Sequence, residues 1–418
     1  MRSSNFVLVF IDRNGCRRSG PGTAVIQRTT TSGRLWKHGR FQLPSCSIYG
    51  NGNGIKGIYE PKPWRIVDTT NGNGLAFVRD ASQTIISSVA GNQFFNATRA
   101  LDAGVRLLQA QVHLLNGALH LCHTSCGLLD AGSLVAWLTL VRGWLDTNPH
   151  DVLTLLLVNS DNAAAAVFGR VFQQAGLVAY GYAHKSSGGG GAAATSWPTL
   201  QSMIADNTRL VTFIASVTAD PAYPYLLPEF QHVFETPYMV TNLAQFTNCS
   251  LDRPATVGTA AAAVRAGMLP LLNHFAYVSL SSSIQIPDVS NIDVTNSPDT
   301  TGTQFAGSSS GGSSNTITAT NNNNRGISGT LGTQARLCTS QWGGTKPTFI
   351  LVDFFNRGPA LRTVDDLNGL TTTIGRVISE DMLPGAATRS SAVSVAVDKL
   401  LLGMSSLLLW VLVGRVMM

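Results

Sequence analysis

Two hydrophobic rhythms alternate along residues 85–380, one with the 3.6-residue spacing of a half-buried helix and one of short apolar runs that read as strands. The first rhythm predicts helices over Ala90–Ala103 and Ser133–Asn148. The second predicts strands over Val105–His113, Ala118–Cys122, Val152–Val158, Arg209–Ala215, Met268–Leu272 and Thr348–Phe354. Val152-Leu153-Thr154-Leu155-Leu156-Leu157-Val158 is apolar on both alternating faces, as a strand covered on both sides requires. Asn116-Gly117 supplies a tight turn between the first two strands. Helices interleaved with buried strands predict the α/β class and, more narrowly, a single TIM-type (β/α) barrel over residues 76–380. Ser, Thr, Asn and Gly dominate residues 287–334, which reads as a long low-complexity insertion on one face.

Both ends depart from this rhythm. Residues 1–75 mix Gly, Asn, Ser and Arg with no apolar period, and Asn51-Gly52-Asn53-Gly54 recurs as Asn71-Gly72-Asn73-Gly74. That segment is expected to be disordered, or to be an incorrect start of the gene. Its one apolar run, Phe6–Ile11, falls short of the apolar core of about 7–15 residues that a signal peptide needs. Residues 381–418 end in an apolar stretch, Leu400–Val413, shorter than the ~20 residues of a spanning helix. With the small triplets Gly385-Ala386-Ala387 and Ser390-Ser391-Ala392 upstream, it reads as a glycosylphosphatidylinositol anchor signal. The other reading is a short terminal helix packed on the domain.

Charge narrows the range of partners. The net charge of +6 comes from residues 1–75, where 11 Lys and Arg face 3 Asp and Glu; the other 343 residues carry 18 against 20. A near-neutral body with no basic stripe excludes nucleic acid as the expected partner. Six cysteines without a Cys-x-x-Cys pair argue against zinc ribbons and thioredoxin-type chemistry. Cys122 and Cys126 are close enough to bridge around a tight loop, Cys249 and Cys338 form the natural second pair, and Cys16 and Cys46 lie in the N-terminal segment. The sequons at Asn96 and Asn248 agree with a glycosylated, extracellular protein at the cell surface.

The densest candidate chemistry is Leu119-His120-Leu121-Cys122-His123-Thr124-Ser125-Cys126. It puts an imidazole, the side chain that titrates nearest neutrality, at the end of a predicted strand, where barrel enzymes hold their chemistry. On the preceding strand Gln109, Gln111 and His113 share one face, with His113 reaching toward the mouth, while Arg106 is out of phase and reads as a packing residue. His120, out of phase with His123, reads as a buried, hydrogen-bonded strand histidine. Asn159 and Asp161, just after a strand, and His274, after Asn273, are further pocket candidates. For Asn159 and Asp161 the alternative is a cap on the helix beginning near Ala163. A glycosidase would need two inward carboxylates, and Asp353 has no evident partner of that kind.

The order of several blocks resembles the fungal branch of the phosphatidylinositol-specific phospholipase C X-domain-like phosphodiesterases. The blocks are Asn92-Gln93-Phe94-Phe95-Asn96-Ala97-Thr98, Leu101-Asp102-Ala103-Gly104-Val105-Arg106-Leu107-Leu108-Gln109-Ala110-Gln111, His120–Cys126, Trp144–Val152, Ser196-Trp197-Pro198-Thr199-Leu200, Asp252-Arg253-Pro254 and Leu351–Gly358. Together they span about residues 76–370. The resemblance implies a TIM-type barrel that cleaves phosphodiesters of inositol lipids or related molecules, as a monomer at a membrane surface. Such cleavage needs a base for the attacking hydroxyl, an acid for the leaving alkoxide, and donors around the phosphoryl oxygens. By this resemblance His123 is the general acid, and Asp353 orients the histidine that acts as base. Gln109 and Gln111 stand where other branches carry charged residues toward a metal or the phosphate, so their amides imply substrate contact with neither metal nor cofactor.

One expected residue is missing. The first histidine of the family pattern falls near Asn73, and Gly74 replaces the Asp or Asn that follows it. Losing half of an acid/base pair costs a factor of about 10²–10⁴. Either the start of the gene is wrong, or the chain is a catalytically silent barrel acting in surface binding or structure.

Overall fold

The computed structural model describes residues 90–184, 197–279, 285–298, 329–371, 373 and 375–378. The N-terminal segment 1–75 with Asn73, the centre of the 287–334 insertion and the tail 381–418 lie outside them.

In chain order the elements are α1 (Ala97–Asp102), β1 (Leu107–Leu115), β2 (Ala118–Cys122), β3 (Asp130–Ser133), α2 (Leu134–Thr147), β4 (Leu153–Asn159), α3 (Ala165–Gln174), α4 (Leu200–Ala205) and β5 (Leu210–Ala215). There follow β6 (Leu226–Pro228), α5 (Glu229–His232), β7 (Val233–Glu235), α6 (Ala260–Arg265), β8 (Leu269–His274), β9 (Tyr277–Ser279), β10 (Gln285–Pro287), α7 (Ile292–Thr295), α8 (Leu331–Gln341), β11 (Phe349–Val352) and α9 (Ala360–Asn368). Polar residues set the boundaries. Ser133 accepts from the Ala136 N–H to start α2, and Asn96 accepts from the Arg99 N–H to start α1, contributions of about 1 kcal/mol each. The Asn96 cap also explains why the first helix begins seven residues later than the apolar pattern predicts.

The architecture is mixed α/β. One sheet has the order β3-β2-β1-β4-β5-β6, a second β11-β8-β7, and β9 and β10 form a small hairpin. The ladders β1–β4–β5–β6 and β7–β8–β11 are parallel, whereas β1–β2 and β2–β3 are antiparallel. Strand alternation sorts the core into two clusters. Leu108, Ala110 and Val112 of β1 join Leu155, Leu157 and Ile214 in packing against Trp137, Leu138 and Val141 of α2 and Phe168 and Phe172 of α3. The opposite faces meet in a separate cluster, in which Leu107, Leu156, Val211, Phe213 and Leu227 from the first sheet pack with Val233, Leu269, Leu271, Phe349 and Leu351 from the second. Both main sheets therefore turn one face toward a shared interior and the other toward helices.

Arg106 anchors the lower edge as a packing residue. Its guanidinium donates to Asp151 Oδ1 at 2.8 and 2.9 Å and to the carbonyls of Leu101 and Val105, and it lies 4.9 Å from the Trp144 ring. Both cysteine pairs, Cys122–Cys126 and Cys249–Cys338, are bridged. Part of the segment assigned by composition to the insertion is structured, namely β10, α7 and the start of α8. Polar residues there serve the backbone instead of solvent: Asp288 Oδ1 accepts from the N–H groups of Ser290 and Asn291, and Thr330 caps α8.

Candidate functional site

His123 follows β2 directly and is fully buried. Its loop is closed on both sides by the Cys122–Cys126 bridge, and its N–H donates to the Leu129 carbonyl at 2.9 Å. The next residue, Thr124, has φ +64°, a left-handed conformation that a β-branched residue adopts only under constraint. The constraint comes from Gln111. The Thr124 N–H donates to Gln111 Oε1 at 2.8 Å, while Gln111 Nε2 donates to Ser160 Oγ at 2.9 Å, at the end of β4. Gln111 was expected to meet substrate; instead both ends of its amide tie together the exits of β2 and β4. Burial pushes the His123 imidazole down to about 4, so it is neutral at neutral pH.

Asp353 sits one residue past β11, in register with the inward-facing Phe349 and Leu351. It too is followed by a left-handed residue, Phe354, at φ +45°. Three carbonyls, those of Asp353, Phe354 and Arg357, accept from the single amide of Asn296, and the Phe354 N–H donates to the Asn92 carbonyl. Gln93 adds bonds to the Val352 carbonyl and the Phe355 N–H. Among the described residues six non-glycine residues have positive φ; three are asparagines, which tolerate it, and the others are Thr124, Phe354 and Ser216, each placed at a strand exit. Such positions cost on the order of 1–3 kcal/mol apiece and persist where the surroundings impose them, commonly at functional sites. Burial raises the Asp353 carboxyl well above its ordinary range, with Asp288 adding to the rise and a hydrogen bond to Asn92 opposing it.

Glu235 and Arg253 were not assigned a site role by sequence, and Asn273 was raised only together with His274. Glu235 ends β7 and is ion-paired with Arg253, and Asn273 of β8 donates to the Thr236 carbonyl at 2.7 Å and lies 3.4 Å from Glu235 Oε2. Arg253 is drawn beside β7 by backbone bonds, with the Glu235 N–H donating to the Arg253 carbonyl at 2.8 Å. Its guanidinium lies 4.3 Å from the Tyr238 ring, and its Nε and Nη1 are buried without a hydrogen-bond partner. Burial disfavours its charge, but Glu235 and Glu229 outweigh that and hold the pKa above the ordinary value. Asp252-Arg253-Pro254 stood out in the sequence, whereas β7, three residues long, is too short to show a period. Glu235 also corrects the expectation that no second carboxylate faces inward, though Arg253 and Asn273 already engage it.

The remaining candidates divide. Gln109 faces inward and is buried. His113 and His120 are opposed across the β1–β2 ladder, and each meets its own carboxylate: His113 Nδ1 lies 3.5 Å from Asp161 and His120 Nδ1 3.0 Å from Asp130. His120 is therefore hydrogen-bonded as expected, but half-buried. Asn159 is a loop strut: Oδ1 accepts from the Ala163 N–H, and Nδ2 donates to the carbonyls of Ala163 and Ser216. Those bonds consume the amide that was expected to meet substrate. His274 is also structural. It stacks on Phe246 at 4.2 Å, its Nε2 donates to the Thr295 carbonyl at 2.7 Å, the Gln334 amide lies against Nδ1, and burial lowers its pKa to about 4. Its outward register on β8, opposite in phase to Asn273, is the reason the sequence placed it wrongly. Among the described residues no group of three or more His, Cys, Asp or Glu is placed to hold a metal ion, and no helix is long and apolar enough to cross a membrane.

Comparison with known proteins agrees with this arrangement. The family model described as PI-PLC X 1 matches residues 79–315. A protein of Arthroderma benhamiae named PI-PLC X domain-containing protein 1 is 34% identical over 281 residues, covering 67% of this chain and 79% of that relative. A second protein of the same organism, named as an uncharacterized secreted protein, is 31% identical over 291 residues, covering 68% of this chain and 58% of that relative. No solved structure matches the chain. With His123 in the loop closing β2 and more than half of its length matched, the chain belongs to the PI-PLC X domain family.

Proposed function

We propose that this protein is a PI-PLC-like phosphodiesterase acting on inositol phospholipids or related phosphodiesters, with the two main sheets forming one TIM-type barrel. Three features support the barrel: the shared inner cluster, the contact at 6.0 Å between the Phe213 ring of β5 and the Phe349 ring of β11, and α5, which packs against β5, β6 and β7. The observation that carries the function is that His123 and Asp353 both stand at strand exits, each buried and each followed by a constrained left-handed residue. A phosphodiester anion entering beside His123 raises the imidazole pKa, because an opposite charge favours the protonated form. His123 then gives its proton to the leaving alkoxide. Arg253 supplies positive charge for the phosphoryl oxygens through its unpartnered N–H groups. Asp353, its pKa raised by burial and its carboxyl hydrogen-bonded to Asn92, orients the group that takes the proton of the attacking hydroxyl.

A membrane surface is the partner that fits. Leu114 at the end of β1, Met239 after β7 and Val278 in β9 are exposed apolar side chains that a lipid surface would cover. The name of the secreted relative supports an extracellular location, with the C-terminal tail serving as a glycosylphosphatidylinositol signal and Asn96 and Asn248 as glycan acceptors. The protein works as a monomer without a metal. The silent-barrel reading is kept by one observation, Asn73 where the pattern has histidine. Phosphatidylinositol vesicles decide the matter: the chain as it stands is expected to turn over slowly, and Asn73→His to raise the rate about 10²-fold or more. Folded protein with no turnover in either form refutes the mechanism.

A further inference from the structure

The Thr124 hydroxyl lies 3.4 Å from His123 Nδ1, and the loop that carries both residues is tightly bonded. The bridge fixes residues 122 and 126, the Ser125 N–H donates back to the His123 carbonyl at 2.7 Å, and the N–H groups of Leu128 and Leu129 donate to the Ser125 carbonyl. These bonds are internal to the loop. They shape it without saying where it points relative to the sheet.

One side chain of the sheet ties this loop to its neighbours. β1 lies between β2 and β4 in the sheet, so an inward residue of β1 can reach both neighbouring exits. Gln111 does so with a donor on one side and an acceptor on the other, bonding Ser160 Oγ and the Thr124 N–H. Thr124 is the residue in left-handed conformation, so the acceptor end of Gln111 holds the backbone immediately after His123. We propose that Gln111, braced by Ser160, is the positioning residue that fixes His123 in the site, with the Cys122–Cys126 bridge limiting the motion that remains. An apolar side chain of similar length would fill the space but hold neither exit. This assignment rests on the phosphodiesterase reading only for its kinetic consequence; the geometry of His123 is separately measurable.

The test uses the full chain with Gln111→Leu, Ser160→Ala and the double variant Cys122→Ser/Cys126→Ser. Imidazole C–H resonances are followed by NMR against pH, and kcat and KM are measured on phosphatidylinositol vesicles. In the parent, His123 stays neutral down to about pH 4. In Gln111→Leu the loop opens to solvent, and the midpoint is expected to move up toward the 6.5 of an exposed imidazole, with kcat falling by about 100-fold and KM little changed. Ser160→Ala, a mild change that keeps the fold, is expected to shift both in the same direction by less, and the cysteine variant likewise. A purely structural role would lower the melting temperature and leave the titration and the kcat-to-KM split untouched. Folded Gln111→Leu and Ser160→Ala with the parent's titration midpoint would overturn the proposal. If no form turns over phosphodiester, the functional reading fails, and the titration still decides the role of Gln111.

Discussion

Acid should weaken this fold through His123 by an amount the structure sets. Burial holds the folded imidazole at about 4, against 6.5 for an unfolded one, so the unfolded chain binds the proton more readily. The stability contributed by neutral His123 is complete above about pH 6.5, declines as pH falls through that value, and is exhausted near pH 4. At pH 5 an unfolded imidazole is almost wholly protonated while the folded one carries a proton in about a tenth of molecules, a difference of about 2 kcal/mol. The parent's raw pH slope does not isolate this effect. Asp353 acts in the opposite sense, because a carboxyl whose pKa burial raises in the folded state gains stability as pH falls. His274 and the pair His232 and His184 at the other end of the strands, with ring centroids 4.9 Å apart, add losses of the same sign as His123. The diagnostic quantity is therefore the difference between parent and His123→Gln. Urea unfolding of both proteins at pH 7 and pH 5 should show the variant losing about 2 kcal/mol less than the parent over that interval. Equal losses in the two proteins would refute the burial argument.

The two bridges should differ in thermodynamic weight because they close loops of different length. Removing Cys249–Cys338, with a sequence separation of 89, is expected to cost about 4–5 kcal/mol, and removing Cys122–Cys126, with a separation of 4, about 2 kcal/mol, read by denaturant titration under oxidising conditions. Arg106→Met leaves Asp151 without its partner and removes the guanidinium donor to the Leu101 and Val105 carbonyls, so a loss of about 3 kcal/mol is expected, seen as a lower melting temperature.

Much of the fold was legible from the sequence because its strands are long and buried on both faces. Leu153–Asn159 and Leu210–Ala215 lie within a residue or so of their predicted limits, and Ser133 and Asn148 flank α2 as expected. Among the elements that escaped, β6, β7 and α5 have three or four residues each, too few for any period to develop, while α8 and α9, of 11 and 9 residues, also went unpredicted. Residues 288–298 were misread because composition does not distinguish a polar residue facing water from one, such as Asn296, that satisfies three carbonyls. In the site, His123 and Asp353 were visible as titratable groups at strand ends. The work of Gln111 was not: a glutamine on an inward face looks the same whether it awaits a ligand or braces a loop, and only its two bonds separate these roles. The bonds of Asn159 to Ala163 follow the helix-start reading offered for it, whereas those of Asn159 to Ser216 and of His274 to Thr295 and Gln334 join residues distant in sequence and were not legible.

The burial of β4 on both faces has a consequence outside the native state. Leu153-Thr154-Leu155-Leu156-Leu157-Val158 carries no charge, proline or glycine, and every residue of the strand is buried. Freed from its neighbours, such a segment is a template for intermolecular strand pairing. Its protection in the chain comes from the charges beside it, Asp151 before the strand and Asp161 after it, which act as gatekeepers against self-association. Asp151 thus serves twice, as the partner of Arg106 in the folded protein and as a brake on aggregation while the sheet is still assembling.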